Sequence, residues 1–485
     1  MKLVVNVLIT VILVIAQLFG ANVEEWPFYD EVTGGEITSV TQILKPDIDE
    51  ENLAENATVS LGDGGLVSSS PIHYWKAEAG DTAEINFGKE VTFNTVVLEE
   101  LGDHVYLFRL YSYQDGEWEM FYEQDRIMQY RMCTFEEVTT SKLRLEIVEA
   151  DDTVRLRGMK VYNQAKSDRE MKVSQYLVFN GDDIVQYRDN HDEGFSGYYD
   201  VVTDVIVISE LGLDSEGNVT YINGGEELFT ANLEALKDII GDRPVRIWAT
   251  VRFDQKDSEG NNSLDATKDF INEKLDVITQ NIKAVVEKHG LYGVDYDWEY
   301  PSTVAQWGAY SKLVVKSARE FKVSVALPPW GIKLSPAAVR SVEHVNVMAY
   351  DLFDDRGDHA NIQAGTIDSV EALMLAGFEK EQILVGIPTY GRTTDGSGNA
   401  WPTFRGNEET LGKFNSIVHD YPYTNENGEQ VTCDAYVQSY AEARDKMAYA
   451  EETGLGGVMI FRAKCDAPYT YEYSIHRAIK DAIDH

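Results

Sequence analysis

Gly293-Val294-Asp295-Tyr296-Asp297-Trp298-Glu299-Tyr300-Pro301 is the segment from which the architecture is read. Val294, Tyr296 and Trp298 alternate with Asp295, Asp297 and Glu299, which is the period of a strand, so the three carboxylates project to one side. A parallel barrel strand ordinarily fills that side with aliphatic residues. Carboxylates crowded into a low-dielectric interior repel one another, and at least one must keep a proton with a raised pKa. A general acid working near neutral pH needs that property. A solvated acidic loop would not alternate with Val, Tyr and Trp in this way. The segment predicts chemistry at the end of a buried strand.

Strand and helix patterns alternate on both sides of it. Upstream, Tyr176–Phe179, Val205–Ile208 and Val245–Ala249 read as strands, with helical pattern over Leu228–Ile240. Leu275, Ile278, Ile282 and Val285 recur at helical spacing just before the segment. Downstream come a helix through Trp307, Tyr310, Val314 and Phe321, then strands at Val323–Leu327, Val345–Ala349, Ile383–Ile387 and Gly457–Phe461. Eight strands alternating with helices predict an α/β fold, a (β/α)8 TIM barrel over residues 172–485. A doubly wound open sheet is the alternative, but no glycine-rich phosphate loop follows the first strand. In a barrel, chemistry gathers where strands end, at the C-terminal face. The segment Asp395–Tyr436, rich in Gly, Asn, Tyr and Pro, is a long insertion on that side.

The nine-residue segment resembles the fourth-strand signature of glycoside hydrolase family 18, the chitinases and endo-β-N-acetylglucosaminidases. Met348-Ala-Tyr-Asp351 on the sixth strand and Gly386-Ile-Pro-Thr-Tyr-Gly-Arg392 on the seventh are similar to two further motifs of that family, in the same order. The resemblance implies that Glu299 protonates the glycosidic oxygen and that the substrate's own 2-acetamido carbonyl attacks the anomeric carbon, with retention and no enzyme nucleophile. It further implies that Asp297 orients the acetamide N–H, that Asp295 tunes Asp297, and that Tyr350 hydrogen-bonds the acetamide oxygen. Met348, Asp351, Tyr390 and Arg392 would bind substrate, Phe461 would floor the scissile sugar, and Trp330 and Trp401 are candidate sugar platforms. No metal and no organic cofactor is needed. The implied partner is a polysaccharide or oligosaccharide containing N-acetylglucosamine, as in chitin, N-glycans or peptidoglycan. A chitinase-like lectin that binds without turnover is the competing class.

Three positions depart from the family pattern. Tyr292 stands where the signature begins with Asp, Trp248–Phe253 replaces a serine- and glycine-rich third-strand motif, and Phe461 replaces Trp. Phe still stacks on a sugar face, with less area.

Residues 22–168 carry a different pattern. Ala83–Phe87, Phe93–Leu98, Val105–Tyr111, Lys142–Ile147 and Val154–Arg157 read as short strands separated by turn residues such as Gly88, Gly102 and Asp115-Gly116. They predict an all-β sandwich. Trp75-Lys-Ala, Asp115-Gly-Glu-Trp and Lys142-Leu-Arg-Leu, with the strands around them, resemble discoidin-like (coagulation factor 5/8 C-type) domains. The resemblance implies attachment to a glycan or cell-surface ligand, and structural packing against the barrel is the alternative.

Composition bounds the remainder. The 485 residues hold 42 Lys and Arg against 82 Asp and Glu, a net charge of −40. Such a surface repels phosphate backbones, so no nucleic-acid partner is expected. Lys2 followed by an apolar run to Gly20 reads as a secretory leader over residues 1–21, hence a secreted protein, or a membrane-anchored one if the leader is retained. Of Cys133, Cys433 and Cys465, the last two are candidates for a disulfide; no zinc spacing is present. Asn56, Asn218 and Asn261 begin glycosylation sequons.

Overall fold

The computed structural model describes residues 45–46, 48–61, 75–179, 184, 196–256, 258–394, 405, 412–414, 417–425 and 427–484. The leader at 1–21 and Trp401 lie outside the described residues. The chain divides into two compact units, Met1–Asp49 and Glu50–His485, and everything below concerns the second.

Within that unit a parallel barrel closes on itself. Its strands are β8 (Lys172–Leu177), β9 (Asp204–Leu213), β11 (Arg246–Arg252), β12 (Gly293–Tyr296), β13 (Lys322–Leu327), β14 (Val345–Val347), β15 (Ile383–Pro388) and β19 (Gly457–Phe461). Neighbours pair in that order, and β19 pairs with β8 to close the ring. A short β10 (Val219–Tyr221) adds antiparallel to β9. All eight predicted strands fall on or overlap these elements, whose residues are mostly buried on both faces. The closed ring disposes of the open-sheet alternative.

The interior is packed by Tyr176, Ile206, Trp248, Ala326, Leu384 and Met459, among others. Gly293 opens β12 because nothing larger fits there: a Cβ would lie 2.4 Å from the Lys322 carbonyl and 2.5 Å from the Trp248 ring. Two helices bracket β12. α2 (Leu264–His289) is capped by Ser263, whose side chain accepts from the Ala266 N–H, and α3 (Val304–Ser317) opens with a Thr303–Gln306 capping box. The other helices used below are α1 (Gly225–Ile240), α4 (Pro336–Val339), α5 (Ser369–Leu375), α6 (Tyr440–Glu452) and α7 (Ile475–Ile483).

The N-terminal β-rich region is one seven-stranded antiparallel sheet: β1 (Thr58–Leu61), β2 (Trp75–Ala77), β3 (Thr82–Glu100), β4 (Val105–Gln114), β5 (Glu117–Gln124), β6 (Arg131–Ala150) and β7 (Val154–Tyr162). The strands predicted at Ala83–Phe87 and Phe93–Leu98 are two halves of β3. Gly88 (φ +71), predicted as a turn, instead lies where the β3–β6 register shifts, with its N–H held by the Asn86 side chain at 2.9 Å. The sheet encloses one apolar core that includes Phe93, Phe108, Leu145 and Val161.

This sheet packs on α6. Asp445 of α6, fully buried, accepts hydrogen bonds from Arg131 at 2.9 Å, from the Thr134 N–H at 2.8 Å and from the Tyr122 hydroxyl. Gln124 donates to Ser439 at 3.0 Å, and Arg444 pairs with Glu136 at 2.7 Å. Every residue from Tyr440 to Ala450 is buried, charged ones included. The predicted insertion after β15 holds β17 (Ile417–Thr424) and β18 (Gln430–Tyr436), an antiparallel pair to which β16 (Arg392–Thr393) adds. The candidate disulfide is not formed: Cys133, Cys433 and Cys465 are all free, with Cys433 engaged by Thr394 at 3.2 Å.

Candidate active site

Asp295 on β12, and Asp297 and Glu299 just beyond its C-terminal end, run from the barrel core toward its mouth. Asp295, lowest, is fully buried and accepts from Tyr176 (2.7 Å), Ser324 (2.6 Å) and Asn346 (3.1 Å). Those donors come from three different barrel strands. Burial raises its pKa despite them. Asp297 follows on the same side, and its pKa is pushed far above the usual carboxylate range by burial, then by the charges of Glu299 and Asp295. Arg252 pulls in the opposite direction. The Asp297 carboxyl therefore binds a proton more readily than that of an ordinary Asp, and it is in hydrogen-bonding contact with Glu299. Its Oδ1 is buried and, among the described residues, has no hydrogen-bond partner. Glu299 is exposed at the mouth.

A cleft of about 490 Å³ opens beside this column over the ends of β9, β11 and β12. Ser209, Thr250, Arg252, Asn262, Asp297 and Glu299 are among the residues lining it. That volume suits a small ligand. Apart from Asp297 and Glu299, none of these residues was a sequence candidate. The one available signal was the departure at Trp248–Phe253, which the sequence shows only as a missing small-residue motif. In the structure it puts the cation Arg252 beside Asp297, paired with Asp254 at 2.8 Å.

The opposite rim holds the other motif residues. Tyr350 stacks on Phe461 (centroids 5.5 Å apart, 29° between planes), and Phe461 also meets Tyr176 at 5.7 Å. Phe461 thus lies among aromatic rings at the C-terminal end of β19. Asp351 has φ +59, a conformation that side chains other than Gly, Asn and Asp seldom adopt. Its carboxylate accepts two bonds from Arg392, both 2.8 Å, and one from the Tyr390 hydroxyl at 3.2 Å. Burial alone would raise its pKa, but Arg392 and then His359 outweigh burial and hold it well below the usual range. His359, buried, stands 3.3 Å from Asp351, and burial lowers its pKa more than Asp351 raises it. Met348 lies inside the barrel with the Tyr300 hydroxyl 3.9 Å from its sulfur. Trp330 is 51% exposed, 6.0 Å from the Tyr300 ring, and so free to offer a face.

Tyr292 is not in the site. It lies just before β12, at the opposite barrel end, edge-on to Trp248 at 4.9 Å with its hydroxyl donating to Glu343 at 3.2 Å. The replaced Asp of the signature is therefore a matter of barrel-bottom packing, and the column above it is complete.

Residues 256–466 match the family model described as glycosyl hydrolases family 18. The matched residues lie within the barrel. Endochitinase 1 of Metarhizium robertsii is 23% identical over 230 residues, which cover 38% of this chain and 54% of that protein. Chitinase 1 of Aphanocladium album is 26% identical over 235 residues, 38% of this chain and 54% of that protein. The match thus spans about half the length of these relatives. Among solved structures, a GH18 chitinase of Flavobacterium johnsoniae superposes with a TM-score of 0.50 at 19% identity, over 66% of this chain and 94% of its own. A chitinase of Bacteroides thetaiotaomicron does so with a TM-score of 0.50 at 17% identity, over 65% and 97%. These likenesses are likenesses of fold, a closed (β/α)8 barrel.

Proposed function

We propose that this chain is a secreted glycosidase that hydrolyses β-1,4-linked N-acetylglucosamine glycans by substrate-assisted retention. One observation carries the reading. Asp297 has its proton affinity raised by burial and by the charges of Glu299 and Asp295, touches Glu299, and keeps one buried oxygen free of any partner among the described residues. A buried polar atom without a partner is costly, and a ligand donor such as an acetamide N–H would satisfy it.

In this reaction Glu299 gives its proton to the glycosidic oxygen as the bond to the anomeric carbon breaks. The substrate's acetamido oxygen closes on that carbon to form an oxazolinium ion, which water then opens with Glu299 as base. Asp297 orients the acetamide N–H and stabilises the ion, and Asp295 sets the proton affinity of Asp297. Tyr350 donates to the acetamide oxygen, while Asp351 and Arg392 meet sugar hydroxyls and Phe461 stacks under the ring. The chitinase names of the relatives favour chito-oligosaccharides as substrates. For residues 22–168, the discoidin-like sequence supports a second task, attachment to a glycan or cell surface.

Turnover of a chromogenic chitotrioside tests the proposal. The wild type should release chromophore, and Glu299→Gln should lose activity by about 10²–10⁴-fold while still binding the glycoside. Binding by the wild type with no release of product would overturn the hydrolase reading in favour of a lectin. Parallel product analysis on chitin, N-glycan cores and peptidoglycan names the substrate.

A further inference from the structure

The loop that follows β14 presents Tyr350 and Asp351 to the barrel mouth, and three residues further on it leaves the barrel. Asp354, Asp355 and Arg356 are held from outside, by the β-rich region. Arg126 of that region is 3% exposed and divides its guanidinium between two tasks. Nη1 donates to both oxygens of Asp103, each at 2.8 Å, within its own sheet region. Nη2 faces the barrel loop, 2.6 Å from Asp355 and 3.0 Å from Asp354. Tyr106 completes the grip: its hydroxyl reaches Asp355 at 3.3 Å, and its ring carries the guanidinium groups of Arg126 (4.8 Å) and Arg356 (4.5 Å).

The loop folds back on itself between these points. Leu352 N–H donates to the His359 carbonyl at 2.8 Å and Asp354 N–H to the Asp358 carbonyl at 2.9 Å, which brings His359 against Asp351. The Ala360 carbonyl then accepts from Lys446 of α6. Asp351 is thus fixed between Arg392 on the barrel side and a segment whose far end is gripped by Arg126.

We propose that Arg126 is a positioning residue for the substrate site, acting through Asp354 and Asp355 on the loop that carries Tyr350 and Asp351. The inference rests on the reading above, in which those two residues meet the sugar. If Arg126 served the β-rich region alone, its bidentate contact with Asp103 would suffice, and the second half of the fork would have no reason to face the barrel. Lysine could keep the charge but could not serve both partners, because an ammonium has no rigid fork.

The test uses the full chain with Arg126→Ala, Arg126→Lys and Asp355→Asn. Arg144→Ala, which breaks the ion pair with Glu84 inside the β-rich region, is the control. Amide hydrogen exchange is followed over residues 348–362 and over β12, and affinity for N-acetylchitotetraose is measured by calorimetry in a Glu299→Gln background. Arg126→Ala should speed exchange in 348–362 but not in β12 and weaken binding about tenfold. Arg126→Lys and the fold-sparing Asp355→Asn should shift both readouts the same way by less, and Arg144→Ala neither. The loss on Arg126→Ala should vanish once Asp351→Asn is present. Unchanged exchange at 348–362, or a binding loss undiminished by Asp351→Asn, overturns the proposal. If the parent chain binds no chito-oligosaccharide, the functional reading fails, and the exchange arm by itself decides whether Arg126 holds the loop.

Discussion

Replacing Asp295 with Asn probes the carboxylate column without touching Glu299, the proposed proton donor. Asp295 and Asp297 are two positions apart on extended backbone, about 7 Å. At an effective dielectric of about 20, unit charges at that separation repel by roughly 2.4 kcal/mol, somewhat under 2 pH units of proton affinity. Removing the Asp295 charge should therefore lower the pKa of Asp297. The sign follows from which form works. In the proposed mechanism the active state carries the proton on the Asp297–Glu299 pair, and a weaker hold releases it at lower pH. The alkaline limb of kcat/KM, measured on a chromogenic chitotrioside from about pH 4 to pH 10, should move toward acid. The structural cost is bounded as well. Asp295 accepts from Tyr176, Ser324 and Asn346. Asn keeps one acceptor oxygen, so about one donor is orphaned at roughly 1–3 kcal/mol, which a melting curve on the same sample registers. A folded variant whose alkaline limb stays in place, or moves toward base, would refute the claim that Asp295 tunes Asp297.

Other outcomes follow from buried contacts. Asp445→Ala strands Arg131 in the interface and should destabilise the chain by about 3–5 kcal/mol in denaturant titration. Gly386→Ala pushes a methyl to 2.3 Å from the Val347 carbonyl, so soluble yield and melting temperature should both fall although the residue is only one carbon larger. Asp351 has a depressed folded-state pKa, so its stabilising contribution is complete above the unfolded value of about 4 and is lost as pH falls through the folded one. The stability gap between wild type and Asp351→Asn should be widest near neutral pH and close on acidification below about pH 4, as urea midpoints across that range will show.

The barrel was legible in the sequence because each of its strands is a β-branched run between helical patterns, and the motif residues were legible because carboxylates replace aliphatics where a barrel strand should be apolar. The same logic failed in the β-rich region. β3 was read as two strands because Gly88 marks a turn in isolation, whereas a register shift, which depends on the partner β6, absorbs it. Arg252 was visible as a residue but not as a cleft lining, because its meaning comes from Asp297 on the neighbouring strand. Arg126 and His359 carried no local signal at all. A lone Arg beside Asp125 on a turn reads as solvated, and only long-range pairing buries it. Tyr292, noted in the sequence as a departure from the signature, lies at the barrel's far end, packed edge-on to Trp248.

Helix α6 has a consequence for how this protein can be cut. An outer-ring helix of a free-standing barrel keeps one face wet, yet here Asp445, Arg444 and Lys446 are all buried and Ala441 joins the apolar core of the sheet. The helix is a party wall shared by two houses. A barrel expressed without the sheet would expose that wall's buried charges and half of its apolar lining, and the sheet alone would lose the Asp445 anchor of Arg131. The two parts are therefore a poor choice for grafting or truncation, and engineering that treats the β-rich region as a removable tag should first redesign the outward face of α6.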